Sequence, residues 1–205
     1  MSKRILMTAA LLCLVLAPAT AASLTKRYSY FTIGGVTVEE IERELNVRGP
    51  KVLSTGSRHP GATQMEFKSR IKYGAKNGRC AVVDARVSVE ARIILPRWNK
   101  RSRADEDVRL IWDTLSSDIK RHEESHVVIA KNHARELEIA LKAISPQRDC
   151  AAAEAKVASV TDQLLAKHDA EQQRFDRIEG INFESRLLRL LRYRIERIEA
   201  GTLAQ

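Results

Sequence analysis

The sequence predicts an α+β fold in which a small antiparallel sheet precedes a helical region. Period-two alternation of apolar and polar residues dominates the first half of the chain, and helical periodicity dominates the second half. The helical half contains the pattern H-E-x-x-H at residues 122–126. Cys80 and Cys150 are the two cysteines that remain beyond the N-terminal leader, and they predict one disulfide.

The leader, residues 1–22, has the organisation of a secretory signal peptide. Basic Lys3 and Arg4 precede an apolar run that is too short to span a bilayer, and small residues follow it. We expect cleavage after Ala21 or Ala22, and therefore an exported protein that is periplasmic or secreted. The alternative is an uncleaved N-terminal anchor. Because compartments outside the cytoplasm are oxidising, an even cysteine count there favours a disulfide over two free thiols.

Composition is consistent with one basic domain. Loss of the leader leaves about 183 residues, enough for a single domain with a core, and lowers the basic residues from 35 to 33 against 26 acidic ones. The net charge then falls from +9 to +7. A basic exported protein can associate with anionic lipid, cell-wall polymer or acidic proteins. Nucleic acid is not an expected partner, because no recognition motif is present.

The first half of the chain predicts strands around one short helix. Residues 28–33 alternate as a strand and stop at two glycines. Residues 36–47 predict a helix with Thr37 as N-cap and Glu40 completing a capping box. A loop follows over residues 54–62. Alternation then resumes over residues 63–73 and 80–95, and the glycine-rich turn between these two segments predicts an antiparallel hairpin.

The second half of the chain predicts helices. An apolar face runs from residue 108 into the H-E-x-x-H segment, so one helix over about 107–144 would account for it. Because that length exceeds globular norms, we expect a break near Ser116-Ser117 and a helix over about 118–144 that ends before Pro146. Further helices are predicted over residues 150–177 and 183–200.

The H-E-x-x-H pattern predicts a zinc site when it lies on a helix. His122 and His126 then lie one turn apart on the same face and can bind one Zn²⁺, while Glu123 is placed to act as general base on a metal-bound water. Asp118 lies one turn before His122 and can orient its ring. The alternative is a solvent-exposed carboxylate on the helix surface. Glu136 is a weaker candidate for a similar role.

A zinc enzyme needs a third protein ligand, and the sequence leaves its identity open. The metzincin spacing is excluded because positions 129 and 132 hold Ile and Asn. His133 would lie about 10 Å further along the same helix, and it reads as a surface histidine. The third ligand must therefore come from a later segment. The candidates are His168, Asp176 and Glu179, with Glu154 and Glu171 behind them.

The order of these features resembles the bacterial predicted secreted Zn-dependent proteases, a family classed as a domain of unknown function. The resemblance covers about residues 28–180. Its elements are an early aromatic strand, Gly49-Pro50, the Cys80 strand running to Leu95-Pro96-Arg97-Trp98, then Trp112, the HExxH segment followed by Ile129-Ala130, and Cys150. It implies that residues 23–182 form one zincin-like metallopeptidase domain.

The family pattern also bears on the third ligand. Its closing segment resembles Tyr-Asp-x-x-Thr-x-His-Gly, and here the matching stretch begins Phe175-Asp176-Arg177 but holds Ile181 at the position of the His. The resemblance therefore implies that another residue replaces that His. Glu179, two residues away, is the first choice and would give a His₂Glu site, with His168 or Asp176 as alternatives.

Residues 183–205 carry a basic amphipathic helix. Leucines and isoleucines form a stripe that five arginines flank. Such a helix can lie on an anionic membrane surface or the cell wall, or it can dock on the core of its own protein.

Together these observations predict an exported zinc-dependent metallopeptidase that hydrolyses peptide bonds in a protein or peptide substrate. The alternative is a non-catalytic envelope protein of the same fold that binds a partner, the cell wall or a membrane surface. An amidase acting on peptidoglycan cross-bridges would use the same chemistry.

Overall fold

The computed structural model describes residues 23–52 and 56–203, and this part of the chain forms a three-stranded sheet and four α-helices. The strands are β1 (Ser23–Ile33), β2 (Ala62–Lys76) and β3 (Arg79–Trp98); the helices are α1 (Val38–Arg48), α2 (Glu106–Lys142), α3 (Cys150–Ile181) and α4 (Phe183–Glu199). The α+β class is confirmed. The predicted signal peptide lies outside the described residues. Within the described ranges, no helix has both the length and the apolar content that a membrane span requires.

β3 is the central strand of a mixed sheet. β2 pairs with it as the predicted antiparallel hairpin, which Asn77 and Gly78 close with φ angles of 51° and 71°. β1 pairs with the other edge of β3 in the parallel direction, with Tyr28 beside Ile93. The expectation of a purely antiparallel sheet is therefore wrong for β1. Alternation of side chains does not encode strand direction, and α1 and β2 separate β1 from β3, so no hairpin turn fixes their pairing.

One face of β3 is buried beneath α2 and α3. Its alternate residues Ala85, Val87, Val89, Ala91 and Ile93 are buried, whereas Arg86, Glu90 and Arg92 on the opposite face are exposed. α2 contributes Ala130 and Ala134 to this core, both fully buried. These small side chains let the helix backbone approach the sheet closely. His126 precedes Ala130 by one turn, so the same packing fixes the position of the histidine pair.

α1 begins as predicted. The backbone N–H of Glu40 donates to Thr37 Oγ1, and the Glu40 carboxylate accepts from the backbone N–H of Thr37, which completes the capping box. Ile41 and Leu45 then pack against Trp98 and Trp112 in a separate apolar cluster.

α2 is continuous, so the expected break near Ser116-Ser117 is wrong. Both serine hydroxyls donate to the carbonyl of Asp113 one turn earlier, which satisfies them within the helix. Packing against the sheet and the neighbouring helices then stabilises a 37-residue helix that intrinsic propensity alone would not require.

The predicted disulfide between Cys80 and Cys150 is present. It joins the start of β3 to the start of α3, and two backbone hydrogen bonds between Cys80 and Gln147 reinforce the junction. On the chain-entropy model a loop of this length contributes about 4 kcal/mol to stability. The disulfide therefore anchors one end of the helix that carries the predicted third-ligand candidates.

α4 packs against α2 after a sharp junction at Asn182. Its leucine-rich side is only half-buried, and Leu188, Tyr193 and Ile195 remain exposed. The helix therefore docks on its own protein with one side and presents arginines and single apolar residues to solvent with the other.

Candidate metal centre

The two histidines of the H-E-x-x-H segment point in the same direction from α2. They lie one turn apart, and their Nε2 atoms are 3.1 Å apart. The His126 side chain is 11% exposed and that of His122 is 26% exposed. Phe175 of α3 stacks on the ring of His122 and presents its ring to the edge of His126, which holds both imidazoles in place.

α3 places one carboxylate beside the histidine pair. Asp176 Oδ1 lies 3.0 Å from His126 Nε2 and 3.3 Å from His122 Nε2. Among the described residues, these three side chains form the group whose ligand atoms converge closely enough to hold a metal ion. Asp176 is one of the alternative third ligands that the sequence offers, and the fold brings it to the pair.

The arrangement fits a zinc ion in both chemistry and spacing. Two imidazole nitrogens and a carboxylate oxygen are ordinary zinc ligands, and tetrahedral coordination at about 2.0–2.2 Å separates ligand atoms by about 3.3–3.6 Å. The separations here are 3.0, 3.1 and 3.3 Å, at this range or a few tenths of an ångström below it. Three protein ligands would leave the fourth position open, as catalytic zinc sites require.

The charge of Asp176 fits this assignment. Burial alone would raise the pKa of Asp176, but hydrogen bonds from His122 and His126 outweigh it and hold the pKa well below its usual range. Burial alone would lower the pKa of His126, but Asp176 and Gln172 outweigh it and raise the pKa, so a bound metal would displace a proton from this ring. Asp176 therefore stays ionised at neutral pH, which is the state in which a carboxylate binds metal.

The other third-ligand candidates do not join the group. Glu179, the first choice from sequence, pairs with Arg121 and with Arg186, and its nearest oxygen lies 3.6 Å from His122 Nδ1. His168 is buried behind the site and contacts Gln172 and Asp169. Ile181, at the position of the family His, is 78% exposed at the end of α3. The loss of that His therefore does not leave the pair without a carboxylate.

Glu123 is held by the start of β2. Its carboxylate is buried, and Thr63 Oγ1 lies 2.8 Å from Oε2 and 3.0 Å from the Glu123 carbonyl oxygen. Gly61 lies so close that a Cβ at this position would stand 2.8 Å from Glu123 Oε1. Burial raises the pKa of Glu123 above its ordinary value, and the Thr63 hydrogen bond opposes this only in part. Such a carboxylate is suited to accept a proton near neutral pH.

Asp118 does not orient His122, so that expectation is wrong. Its buried carboxylate instead accepts hydrogen bonds from Arg121 of its own helix and from Arg186 of α4. Arg186 also donates to the carbonyl oxygen of Glu179 and thereby links α2, α3 and α4 beside the metal centre. Glu136 pairs with Lys167 at the surface and has no part in the centre.

Asp118→Asn is expected to lower the free energy of unfolding by about 2 kcal/mol, because it weakens the charge-assisted hydrogen bonds from Arg121 and Arg186 and leaves Glu179 alone to balance the two guanidinium groups. Chemical denaturation measures the loss. Asp113→Asn on the same helix is the control, since Asp113 is half-exposed and its ion pairs should contribute less than about 1 kcal/mol. Equal losses in the two variants would contradict the structural role of Asp118.

The Asp118 effect should also depend on pH. Burial alone would raise the pKa of Asp118, but the hydrogen bonds from Arg186 and Arg121 outweigh it and lower the pKa. A carboxyl group whose pKa is lower in the folded state than in the unfolded state stabilises the fold at pH values above its unfolded-state pKa. This stabilisation is lost as the pH falls through the folded-state pKa. The difference between wild type and Asp118→Asn should therefore shrink below about pH 4.

His133 is buried, which corrects its interpretation as a surface residue. Its Nδ1–H donates to the carbonyl of Ile129, and its ring packs against His168. Within residues 23–52 and 56–203, its Nε2 has no hydrogen-bond partner, although Glu171 lies 3.4 Å away. It lies outside the metal-binding group, as its spacing predicts.

Sequence reasoning missed Gln172, Phe175, Thr63 and Arg186. Gln172 carried a signal, because it lies four residues before Asp176 and therefore shares its helix face. A spacing of four residues is equally common between polar residues on the solvent-exposed face of a helix, so it does not identify Gln172 as part of a site. Thr63 and Arg186 reach the site from β2 and α4, and no local pattern indicates such contacts.

A cleft of about 420 Å³ opens onto the centre. Both histidines, Glu123 and Asp176 line it. The apolar side chains of the lining are Val52, Pro60, Ala62, Met65, Ile119 and Phe183, and its other polar side chains are His59, Thr63, Asp118, Gln172, Glu179 and Arg186. A substrate in this cleft would therefore meet the candidate base and the metal ligands at once.

Comparison with known families gives a match over more than half of the chain. The model of a family described as bacterial protein of unknown function (DUF922) matches residues 28–184. No curated protein and no solved structure matches the chain.

Proposed function

The chain belongs to the DUF922 family of bacterial proteins of unknown function, and for this member we propose a zinc-dependent hydrolase of peptide bonds that acts after export. One observation carries the proposal: the convergence of His122 Nε2, His126 Nε2 and Asp176 Oδ1 in a cleft that also contains the buried carboxylate of Glu123. The family description names no activity, and the geometry of the site is what supports a hydrolase.

The three converging side chains would hold the metal. Bound there, zinc would act as a Lewis acid and lower the pKa of a coordinated water toward 7. With the ionised Asp176 the donor set is His₂Asp, and its one negative charge neutralises one of the two positive charges of Zn²⁺.

Glu123 would carry the proton. Thr63 engages Oε2, so Oε1 is the oxygen that we assign to proton transfer. Because burial raises its pKa, the carboxylate can take a proton from the attacking water and deliver it to the leaving amine in the same cycle. The close approach of Gly61 and the Thr63 hydrogen bond restrict the rotamer of Glu123, which keeps the base in one position for both transfers.

The borders of the cleft suit an extended peptide. β2 forms one edge of the sheet, and its first residues line the cleft. An edge strand offers backbone donors and acceptors to which an extended chain can add. The apolar side chains around the centre would then accept an apolar substrate residue next to the bond that is cleaved.

Two features support activity outside the cytoplasm. The disulfide joins Cys80 and Cys150, and such bonds persist in oxidising compartments. The first residues of the sequence also have signal-peptide organisation.

The test begins with zinc content and continues with turnover. Purified protein that lacks residues 1–22 should carry close to one zinc ion per chain by elemental analysis, and His126→Ala should lose it. The wild type should cleave members of a fluorescence-quenched peptide library. Chelation should abolish this cleavage, and one equivalent of zinc, but not magnesium, should restore it.

The outcomes separate the proposed peptidase from the two alternatives that the sequence leaves open, an envelope protein without activity and an amidase. Full zinc occupancy without cleavage of any peptide would favour the non-catalytic envelope protein. Cleavage of peptidoglycan cross-bridges in place of linear peptides would identify an amidase. Cleavage that survives chelation and His126→Ala would contradict the assignment of the centre.

A further inference from the structure

Gln172 lies directly behind the metal centre and is almost completely buried. It precedes Asp176 by one turn of α3, so the two side chains reach the histidine pair from the same helix face. Its Oε1 lies 2.6 Å from His126 Nδ1, and its Nε2 lies 3.1 Å from the His126 carbonyl oxygen and 2.8 Å from His168 Nε2. The amide thus contacts both the ring and the backbone of one residue.

The direction of these hydrogen bonds follows from the chemistry of the partners. A carbonyl oxygen can only accept, so the NH₂ group of Gln172 must face the carbonyl of His126. A flipped amide would place two oxygens 3.1 Å apart and would lose this bond. Oε1 must therefore face Nδ1 of His126, and because Oε1 can only accept, Nδ1 must carry a hydrogen.

His168 extends the chain of hydrogen bonds that runs from His126 through Gln172. The second N–H of Gln172 points at His168 Nε2, which must accept, so the His168 proton lies on Nδ1 and is donated to Asp169 Oδ1 at 3.0 Å. Burial lowers the pKa of His168, in keeping with a neutral ring. His168, a sequence candidate for the third ligand, instead holds the amide that faces His126.

We infer that Gln172 is the positioning residue that keeps His126 in the tautomer able to bind metal. With one hydrogen held on Nδ1, Nε2 is the ring atom left to bind metal, once metal has displaced the hydrogen that Nε2 donates to Asp176 at 3.0 Å. The inference rests on the proposed zinc centre. Among the residues that the structure describes, the group nearest to Nδ1 of His122 in this role is Glu179, at 3.6 Å and beyond ordinary hydrogen-bond length.

Two substitutions of Gln172 distinguish a positioning role from a packing role, because the two roles predict opposite orders of zinc affinity. Gln172→Met keeps the length of the side chain but removes the acceptor, and it should raise the Kd for zinc by about 10- to 100-fold. Gln172→Glu keeps an acceptor opposite Nδ1 but loses the donor to the His126 carbonyl, so its Kd for zinc should lie between those of wild type and Gln172→Met. A packing role would reverse this order, because an apolar side chain suits the buried site better than a carboxylate.

The readout is zinc affinity by competition with a chromogenic chelator, on the disulfide-bonded protein without residues 1–22. Gln173→Met, one position along on the exposed side of α3, is the matched control and should not change the affinity. Denaturant unfolding of each variant in the absence of metal identifies affinity changes caused by loss of the fold.

The possible results are distinct. Weak binding by Gln172→Met with tighter binding by Gln172→Glu supports the inference. Equal affinity of wild type and Gln172→Met overturns it, as does weaker binding by Gln172→Glu than by Gln172→Met. Tight zinc binding by a wild type that hydrolyses no peptide overturns the proposed hydrolase and leaves the affinity comparison intact, whereas a wild type that binds no zinc overturns both.

Discussion

Glu123→Gln is expected to lower kcat/KM for peptide hydrolysis by about 10³-fold while the protein retains its zinc. The amide matches the carboxylate in size and can still contact Thr63, so the fold and the metal ligands should be unaffected. It has no basic oxygen that can accept a proton at neutral pH, so both proton transfers assigned to Glu123 would be lost.

The measurement pairs steady-state kinetics with zinc content for each variant. Glu124→Gln is the matched control, because Glu124 belongs to the same H-E-x-x-H segment but contacts Tyr28 of β1 outside the cleft. This control should retain both turnover and zinc. Loss of zinc from Glu123→Gln would make the carboxylate a structural part of the site, and retained turnover would exclude it as the base.

Asp176→Asn is expected to raise the Kd for zinc by about 100-fold or more, whereas Glu179→Gln should change it far less. Both substitutions convert a carboxylate to an amide of the same size on the same helix. Only Asp176 has an oxygen within 3.3 Å of both Nε2 atoms. Glu179 instead balances the charges of Arg121 and Arg186.

Metal competition on the two variants measures this difference directly. The opposite order, with zinc lost from Glu179→Gln and kept by Asp176→Asn, would assign the third ligand to Glu179. Equal and small effects would mean that neither carboxylate binds the metal and that the histidine pair recruits its third ligand elsewhere.

Local sequence patterns were sufficient for the features that short-range physics controls. The capping box at Thr37 and Glu40 depends on three consecutive peptide units, and the β2–β3 hairpin depends on its glycine-rich turn. The spacing of His122 and His126 sets their common face once the segment is helical. The pairing of Cys80 with Cys150 followed from their number alone.

Local patterns failed where a competing long-range contact decided the outcome. Ser116 and Ser117 suggested a helix break, but α2 continues because both hydroxyls bond within the helix and its length packs on the sheet. Asp118 suggested a partner for His122, but Arg186 arrives from α4 and takes its carboxylate. His133 suggested an exposed side chain, but α3 covers it.

The sequence by itself determined the α+β class, the disulfide and the three motif residues on α2, because each depends on residues close together or on their count. Only the tertiary structure decided which side chain of α3 meets them. Asp176 and Glu179 differ by less than one turn, so the choice depends on the rotation of α3 about its axis. The disulfide at Cys150 and the packing of Ala153, Val157, His168 and Gln172 fix that rotation, and these contacts are made to residues distant in sequence.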